Sequence, residues 1–468
     1  MCPKCRTRLL YTKSMQSKLI FYGGAGSVTG SNFMLDTGSS KYLIDCGFEQ
    51  GSREKEEENY KPFAYDPKSC SHLFISHSHL DHVGRIPFLV KSGFTGKIIS
   101  THATHDVAEF ILRDALSLMV RAQEHGGHPP LYSEQDIDAA LKLWEPRGLH
   151  EPLLLVDGMV HEFYDAGHIL GSAMSRFSRG DKSLIVTGDL GGGNSPLLPP
   201  TEALPAPDYL VIESVYGDRT RPEDKDRKEA FRAIIEKTIA RGGTLLIPAF
   251  STERTQDLIY EIRSLMLDRK VPSVPVFLDS PLAEKITETF EHNAGYFSKA
   301  LQARVAAGEK IFHFKELTFA RDTNESRAIQ AYRGPKIILA GSGMSNGGRV
   351  LSHERYVLPD PASTLLIVGY QAAGTIGRRL LEGEKNLRAG QGEVIPVRAS
   401  VETLYGYSAH RDSAGLLELV EGAKDSLKQV FVVEGEPAAA NFLTQRIRDY
   451  LGLNATAPGQ DDSVSIEL

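Results

Sequence analysis

A chain of 468 residues exceeds the roughly 250 to 300 at which a single hydrophobic core usually stops growing, so more than one domain is expected. Its 41% apolar and 24% charged residues are ordinary for a globular protein, no apolar run nears the roughly 20 residues that span a bilayer, and the N-terminus lacks a secretory h-region, so a cytoplasmic protein with no membrane partner is expected. The net charge of −7 is only weak evidence against a nucleic-acid partner, because phosphates respond to local arginines and lysines and bound divalent ions offset a carboxylate-rich site.

The four cysteines, Cys2, Cys5, Cys46 and Cys70, are too few and too N-terminal to be a disulfide framework, which agrees with a reducing compartment. Cys2-Pro3-Lys4-Cys5 resembles half a zinc knuckle with no second half, and residues 1–17 read as an extension. From Lys18 onward short apolar runs separated by turns (Leu19–Tyr22, Ser31–Leu35, Lys41–Ile44) predict a meandering sheet. Asp45 closes the last of these strands. It is either a turn residue or a carboxylate that orients a metal ligand from behind. The run Arg53–Glu58 is most simply a solvated face.

The next element organises the chain. After the short strand Leu73-Phe74-Ile75 comes Ser76-His77-Ser78-His79-Leu80-Asp81-His82, then a helical segment from Val83, so four metal-capable side chains sit on a strand-to-helix turn. His77 and His79, two residues apart, share a face and are placed to pinch one ion. Asp81 and His82 follow the turn and suit a neighbouring one. Imidazole and carboxylate without cysteine favour zinc, with manganese or iron competing.

Helices are expected over about 103–122 and 133–144. His125 and His128 on the loop between them read as surface residues, and His102 and His105 as packing or capping groups. Two later strands end on ligand-type residues beside glycine: His161–Tyr164 runs into Asp165-Ala166-Gly167-His168, and Ser183–Thr187 into Gly188-Asp189. A proline-rich connection, 195–207, leads to Tyr209–Ile212 and Glu213. From there helix and strand alternate, predicting an α/β unit with a parallel sheet. Within it, Lys336–Ala340 runs into Gly341-Ser342-Gly343-Met344, a loop that either offers backbone N–H groups to an anion, with Arg349 adding charge, or is a tight structural turn.

Asp45, His77-x-His79-x-Asp81-His82, His168 in Gly-His-Ile-Leu-Gly-Ser and Asp189 in Thr-Gly-Asp-Leu resemble the successive motifs of the metallo-β-lactamase fold. Glu213 in Glu-Ser-x-Tyr-Gly-Asp-Arg, Leu278-Asp279-Ser280-Pro281, the Gly-Ser-Gly-Met loop, Gly369-Tyr370-Gln371 and Ser408-Ala409-His410-Arg411-Asp412 resemble its β-CASP branch, nucleases that process RNA or, in a smaller group, DNA. The resemblance implies an αββα sandwich with an inserted α/β β-CASP domain. The expected division is 18–210 for the first part of the sandwich, 211–397 for the insertion and 398–468 for the return.

It also implies two zinc ions, manganese being the alternative: His77, His79 and His168 on one, Asp81 and His82 on the other, Asp189 between them. Asp81, His410 and Glu213 are the expected catalytic groups, with His410 as general acid held cationic by Glu213. The expected substrate is RNA, single-stranded, cut to a 5′-phosphate and a 3′-hydroxyl. Ser342, Gly343, Arg349, Tyr370 and Arg378 are the expected RNA contacts. The sequence departs from the pattern at Glu434, which stands where RNA-cleaving members carry a histidine. Glu434 either ligates the second ion or weakens that site, so a catalytically weak or silent homologue that binds RNA or a processing partner stays open. A small-molecule hydrolase is the third reading, and the inserted unit with His410 counts against it. Oligomeric state is open, a homodimer among the options.

Overall fold

The computed structural model describes residues 16–220, 227–369, 371, 374–388, 393–404, 406–407 and 409–468; Cys2, Cys5, Tyr370 and Ser408 lie outside them. Gln16 and Ser17, assigned above to the extension, already belong to the first strand, Gln16–Gly23, which pairs antiparallel with the C-terminal strand Ser463–Glu467.

Two seven-stranded sheets form the body of the molecule. The first contains, in order, Ser463–Glu467, Gln16–Gly23, Asn32–Asp36, Lys41–Ile44, His72–Phe74, Lys97–Thr101 and Trp144–Arg147. The second runs from Ala455–Thr456 through Gln429–Val433, Tyr209–Glu213, Lys182–Val186, Ala173–Arg179 and Val160–Asp165 to Leu153–Leu154. Side chains alternate across each strand, so Tyr42 and Ile44 meet Phe177, Val186 and Phe431 between the sheets, whereas Leu43 and Leu73 face outward to Val83, Leu89 and Leu112 of the covering helices. The second sheet does the same: Val211 points inward, while Leu210 and Ile212 pack on Leu416 and Leu443. These three layers of apolar contact define the αββα sandwich.

A third sheet, with six strands, is parallel throughout: Leu317–Phe319, Val276–Asp279, Lys336–Ala340, Thr244–Pro248, Thr364–Ile367 and Ser400–Thr403. It is apolar on both faces, as a sheet covered by helices on each side must be, with Ile247 and Leu339 against one set of helices and Leu246 and Ile338 against the other. The inserted unit is therefore placed slightly differently from the expected 211–397. Tyr209–Glu213 hydrogen-bonds to Lys182–Val186 and Gln429–Val433 in the second sheet, and Ser400–Thr403 to Thr364–Ile367 in the third, so the insertion starts after Glu213 and ends after Thr403.

Parallel strands of both sandwich sheets end on one edge of the molecule: Ile44 before Asp45, Phe74 before the histidine turn, Val186 before Asp189, Glu213 itself, and Val433 before Glu434. Carboxyl ends of parallel strands are where open α/β sheets place their chemistry. Backbone bonds knit the histidine turn to the segment that follows Asp45: Cys46 N–H donates to His82 O (2.8 Å), Phe48 N–H to Leu80 O (3.0 Å) and Arg85 N–H to Cys46 O (2.9 Å). A Cβ on Gly47 would fall 1.5 Å from Asp81 O and 2.6 Å from His82 N. Gly47→Ala is therefore expected to lower stability by about 1–3 kcal/mol or more, read as a lower urea midpoint in the presence of chelator; an unchanged midpoint would contradict this close approach.

Candidate metal centre

Three loops carry the site. The strand His72–Phe74 continues extended to Ile75, whose N–H donates to Ile99 O (2.8 Å), and Ser76 O accepts Ala173 N–H (2.8 Å). These bonds fix the direction in which His77 leaves the sheet. His79 then occupies the N-cap of the one-turn helix Leu80–Val83, which brings His82 back under it. His168 is set by Ser172, whose hydroxyl oxygen accepts the N–H of His168 (2.9 Å) and of Ile169 (3.2 Å). Asp189 follows Gly188, whose φ of +54° and contact with Ser76 leave no room for a side chain.

These loops bring His77, His79, His168 and Asp189 together. His77 Nε2 lies 3.0 Å from His79 Nδ1, His79 Nδ1 3.3 Å from His168 Nε2, and Asp189 Oδ2 3.4 Å and 3.3 Å from His77 Nε2 and His168 Nε2. Four donors held tetrahedrally at about 2.0–2.1 Å from one ion stand about 3.3–3.4 Å apart, so the observed spacing fits a zinc-sized ion. The protonation states fit as well. Burial, and then the neighbouring histidines, hold His77 and His168 well below the ordinary imidazole range. Burial pulls His79 down to about 4 despite Asp81 beside it. Neutral imidazoles with inward lone pairs are ligands. For His77 the tautomer follows from its neighbours, since Nδ1 meets Ser76 Oγ (3.0 Å), whose own hydroxyl donates to Asp45 Oδ2 (2.7 Å).

A second group joins Asp45, His82 and Glu434. Asp45 is fully buried with φ +57°; its carboxylate takes the Ser76 N–H (2.8 Å) and the Ser76 hydroxyl, and lies 2.8 Å from His82 Nδ1. That contact leaves His82 Nε2, buried and without a hydrogen-bond partner, facing Asp189 Oδ1 at 3.6 Å. Both oxygens of Glu434 are likewise buried and unpartnered among the described residues, 3.9 Å separating Oε1 from His82 Nδ1. Orphaned buried donors and acceptors of this kind call for a cation. Without one a proton stands in: burial alone would lower His82, yet Asp189 and Asp45 push it well up, and burial raises Asp189 to about 7 and Glu434 to about 8. Asp81 enters neither group. Its carboxylate, half-buried on the one-turn helix, acts on His79, His82 and Asp189 through its charge.

The third group is Asp189, Glu213 and His410. Backbone bonds from Gly192 N–H to Ala409 O (2.7 Å) and from Arg411 N–H to Leu190 O (2.9 Å) stitch the returning chain to the Asp189 loop. His410 Nδ1 then lies 3.2 Å from Glu213 Oε1 and 3.8 Å from Asp189 Oδ2. Glu213, fully buried, is aimed by the N–H groups of Leu190 (2.7 Å) and Val215 (3.1 Å). Burial opposes charge on His410, but Glu213 and Asp189 outweigh it and push the imidazole up to about 10.

The expected RNA contacts are scattered by comparison. Arg349 is spent inside the insertion, its guanidinium held by the buried Asp279 (2.6 Å), Ala320 O (2.8 Å) and Arg321 O (3.1 Å). Arg378 pairs with Glu382 (2.7 Å) on an exposed helical turn. Ser342 bonds within its own loop, to Gly347 O and Asn346 N. Gly343 lies against Phe250, whose ring would collide with a Cβ there. Ser76 and Ser172, which position the histidines, escaped the sequence reading; their places directly before His77 and four residues after His168 were the available signal.

Comparison with known proteins agrees with this geometry. The description "Metallo-beta-lactamase superfamily" matches residues 26–236, "Beta-Casp domain" residues 255–380 and "Zn-dependent metallo-hydrolase RNA specificity domain" residues 394–458. Ribonuclease TTHA0252 of Thermus thermophilus is 35% identical over 90% of this chain and 93% of its own length. Transcription termination factor FttA of Methanosarcina mazei is 30% identical over 95% of this chain and 71% of its own. An RNase J-like protein of Methanocaldococcus jannaschii is 31% identical over 89% and 92%. A crystal structure of a protein of unknown function from Enterococcus faecalis superposes with a TM-score of 0.56 at 12% identity, covering 96% of this chain and 100% of that one, which is a likeness of fold alone.

Fold and donor set together define a metal-dependent hydrolase. Within that class the chain belongs to the β-CASP branch of the metallo-β-lactamase superfamily, as its motifs led us to expect.

In metal-free protein, NMR is expected to find His410 protonated up to about pH 10. Because its pKa is raised from 6.5, the stability it contributes is complete below that value and is lost as pH rises through the folded one. Glu213→Gln should move the titration down toward 6.5; a His410 that already titrates there in the unaltered chain would contradict the pairing.

Proposed function

We propose that the chain is a zinc-dependent ribonuclease that hydrolyses phosphodiester bonds of single-stranded RNA, internally or from the 5′ end, in the cytoplasm, leaving a 5′-phosphate and a 3′-hydroxyl. The observation that carries this reading is the His410–Glu213 pair beside Asp189: a proton donor contributed by the returning chain, at the edge of a metal-binding donor set. The names of the ribonuclease and RNase J-like relatives, and the RNA specificity description matching 394–458, point to the same polymer.

His77, His79, His168 and Asp189 would hold one ion, and Asp189, His82 and Glu434 the other, with Asp81 adding negative charge alongside. When bound, the ions supply Lewis acidity, which lowers the pKa of water toward neutrality and draws charge from the phosphoryl oxygens. Asp45 keeps a proton on His82 Nδ1, so that Nε2 presents a lone pair. Glu213 keeps the His410 imidazole cationic, and His410 gives that proton to the departing 3′ oxygen. No helix among the described residues is long and apolar enough to cross a membrane.

A second reading is favoured by one observation. Glu434 approaches His82 on the Nδ1 side already occupied by Asp45, not on the Nε2 side that faces Asp189. If Glu434 does not ligate, the second ion is weakly held and the chain is a feeble nuclease that binds RNA.

End-labelled single-stranded RNA with zinc separates the two. The ribonuclease reading expects products bearing 5′-phosphate, and His410→Ala is expected to lower kcat by about 10²–10⁴ with metal content unchanged. An intact chain that leaves RNA uncut, and gains cleavage with Glu434→His, would establish the second reading instead.

A further inference from the structure

Arg254 opens the helix Arg254–Leu267 just past the end of the strand Thr244–Pro248, where the inserted unit meets the metal centre. It is 8% exposed, yet its guanidinium makes no hydrogen bond to any described residue. The nearest opposite charge is Asp257 Oδ2, 3.8 Å from Nη1, and the group stands over the Tyr407 ring at 5.4 Å from its centroid. Its donors line a cleft and make no hydrogen bond to a described residue, so they can take an acceptor from a ligand. Arg227 in the same cleft is already committed, its Nη2 donating to Glu261 Oε1 at 2.6 Å.

The cleft that Arg254 lines is also walled by His168, Gly193, Asn194 and Ala409, so it borders both the metal donors and the neighbour of His410. Gly193 has φ +75° and open space where a Cβ would stand, and the backbone N–H groups of Gly193 and Asn194 donate to no described residue. Two carboxyl groups share the cleft, but both are turned to the protein. Glu253 takes the Ser195 hydroxyl (3.0 Å) and Leu170 N–H (3.1 Å), and Asp257 Oδ1 lies 2.9 Å from the same hydroxyl. Asp257 Oδ2 stays 3.8 Å from the guanidinium, beyond hydrogen-bond reach, so the donors of Arg254 remain open to a ligand.

We propose that Arg254, together with the N–H groups of Gly193 and Asn194, binds the RNA phosphate next to the scissile one, on the side of the leaving 3′ oxygen. A guanidinium fork and backbone N–H groups in one cleft suit phosphate oxygens, and Ala409, the neighbour of the His410 that serves the leaving oxygen, lines the same cleft. This rests on the ribonuclease reading above and adds to it a strand polarity: the chain upstream of the cut passes Arg254.

The test uses the full chain, zinc and a single-stranded RNA with one cleavable site. Arg254→Gln is expected to raise KM about ten- to a hundredfold with a smaller change in kcat, and to lower the slope of log affinity against log salt by about one. In the unaltered protein, a neutral methylphosphonate placed at successive positions should weaken binding most at the phosphate immediately upstream of the cut. That same substitution should cost Arg254→Gln little further. If the unaltered chain cleaves RNA but the scan is flat, or the largest loss falls downstream, the assignment of Arg254 is overturned while the ribonuclease reading stands. If the unaltered chain neither binds nor cleaves RNA, both fall. Should Arg254→Gln fail to fold, the scan on the unaltered protein decides alone.

Discussion

Everything at this site depends on one electrostatic constraint: three imidazole nitrogens and a carboxylate oxygen, 3.0–3.4 Å apart and out of water, cannot satisfy one another. Neutral imidazoles that share a centre present lone pairs to lone pairs, and the Asp189 oxygen nearest them meets two of those nitrogens at 3.3–3.4 Å. Folding such a set together costs free energy that only a shared positive charge returns. The strain is spread by Asp45, which gathers Ser76 and His82 and so governs the orientation of two metal donors without joining the inner four.

The architecture follows from that constraint. Each donor sits at the carboxyl end of a strand whose register is set far away by the apolar layers, so the precision of the site is borrowed from the sandwich. Loops alone would not hold nitrogens this close. The returning chain contributes His410 and Glu434 only because Gln429–Val433 reinserts beside Tyr209–Glu213, which is also what lets an entire parallel-sheet unit be inserted between them. That unit in turn presents Arg254 to the same edge. The proton donor and the second metal group are thus consequences of a single strand pairing.

Much of this was legible in the sequence because ligand chemistry is concentrated: His77, His79 and His82 crowd one turn after an apolar run, and His168 and Asp189 each follow a glycine past the end of a strand. The parallel-sheet unit was legible too, from the alternation of helix and strand after Glu213, whereas the αββα sandwich rested on the family resemblance of the motifs. Less visible were properties that depend on the partner across space. Arg349 follows an anion-binding pattern but is consumed by Asp279, seventy residues away, and nothing local announces that. Arg254 reads as an ordinary helix residue, yet it lines the cleft beside His168 with no hydrogen bond to a described side chain. Which sheet receives Tyr209–Glu213 and which receives Ser400–Thr403 is set by pairing with distant strands and has no local sign in the sequence. Asp81 shares the one-turn helix Leu80–Val83 with His82 and joins none of the three donor groups.

The claim that the histidine and aspartate donors exist to share a cation is tested most directly by stripping the chain with chelator, titrating zinc back and recording its X-ray absorption spectrum. The account predicts retention of two ions per chain, with a tightly held fraction surrounded by nitrogen and oxygen at about 2.0–2.1 Å and no sulfur. A chain that folds yet retains no transition metal, or holds it through sulfur, would contradict it.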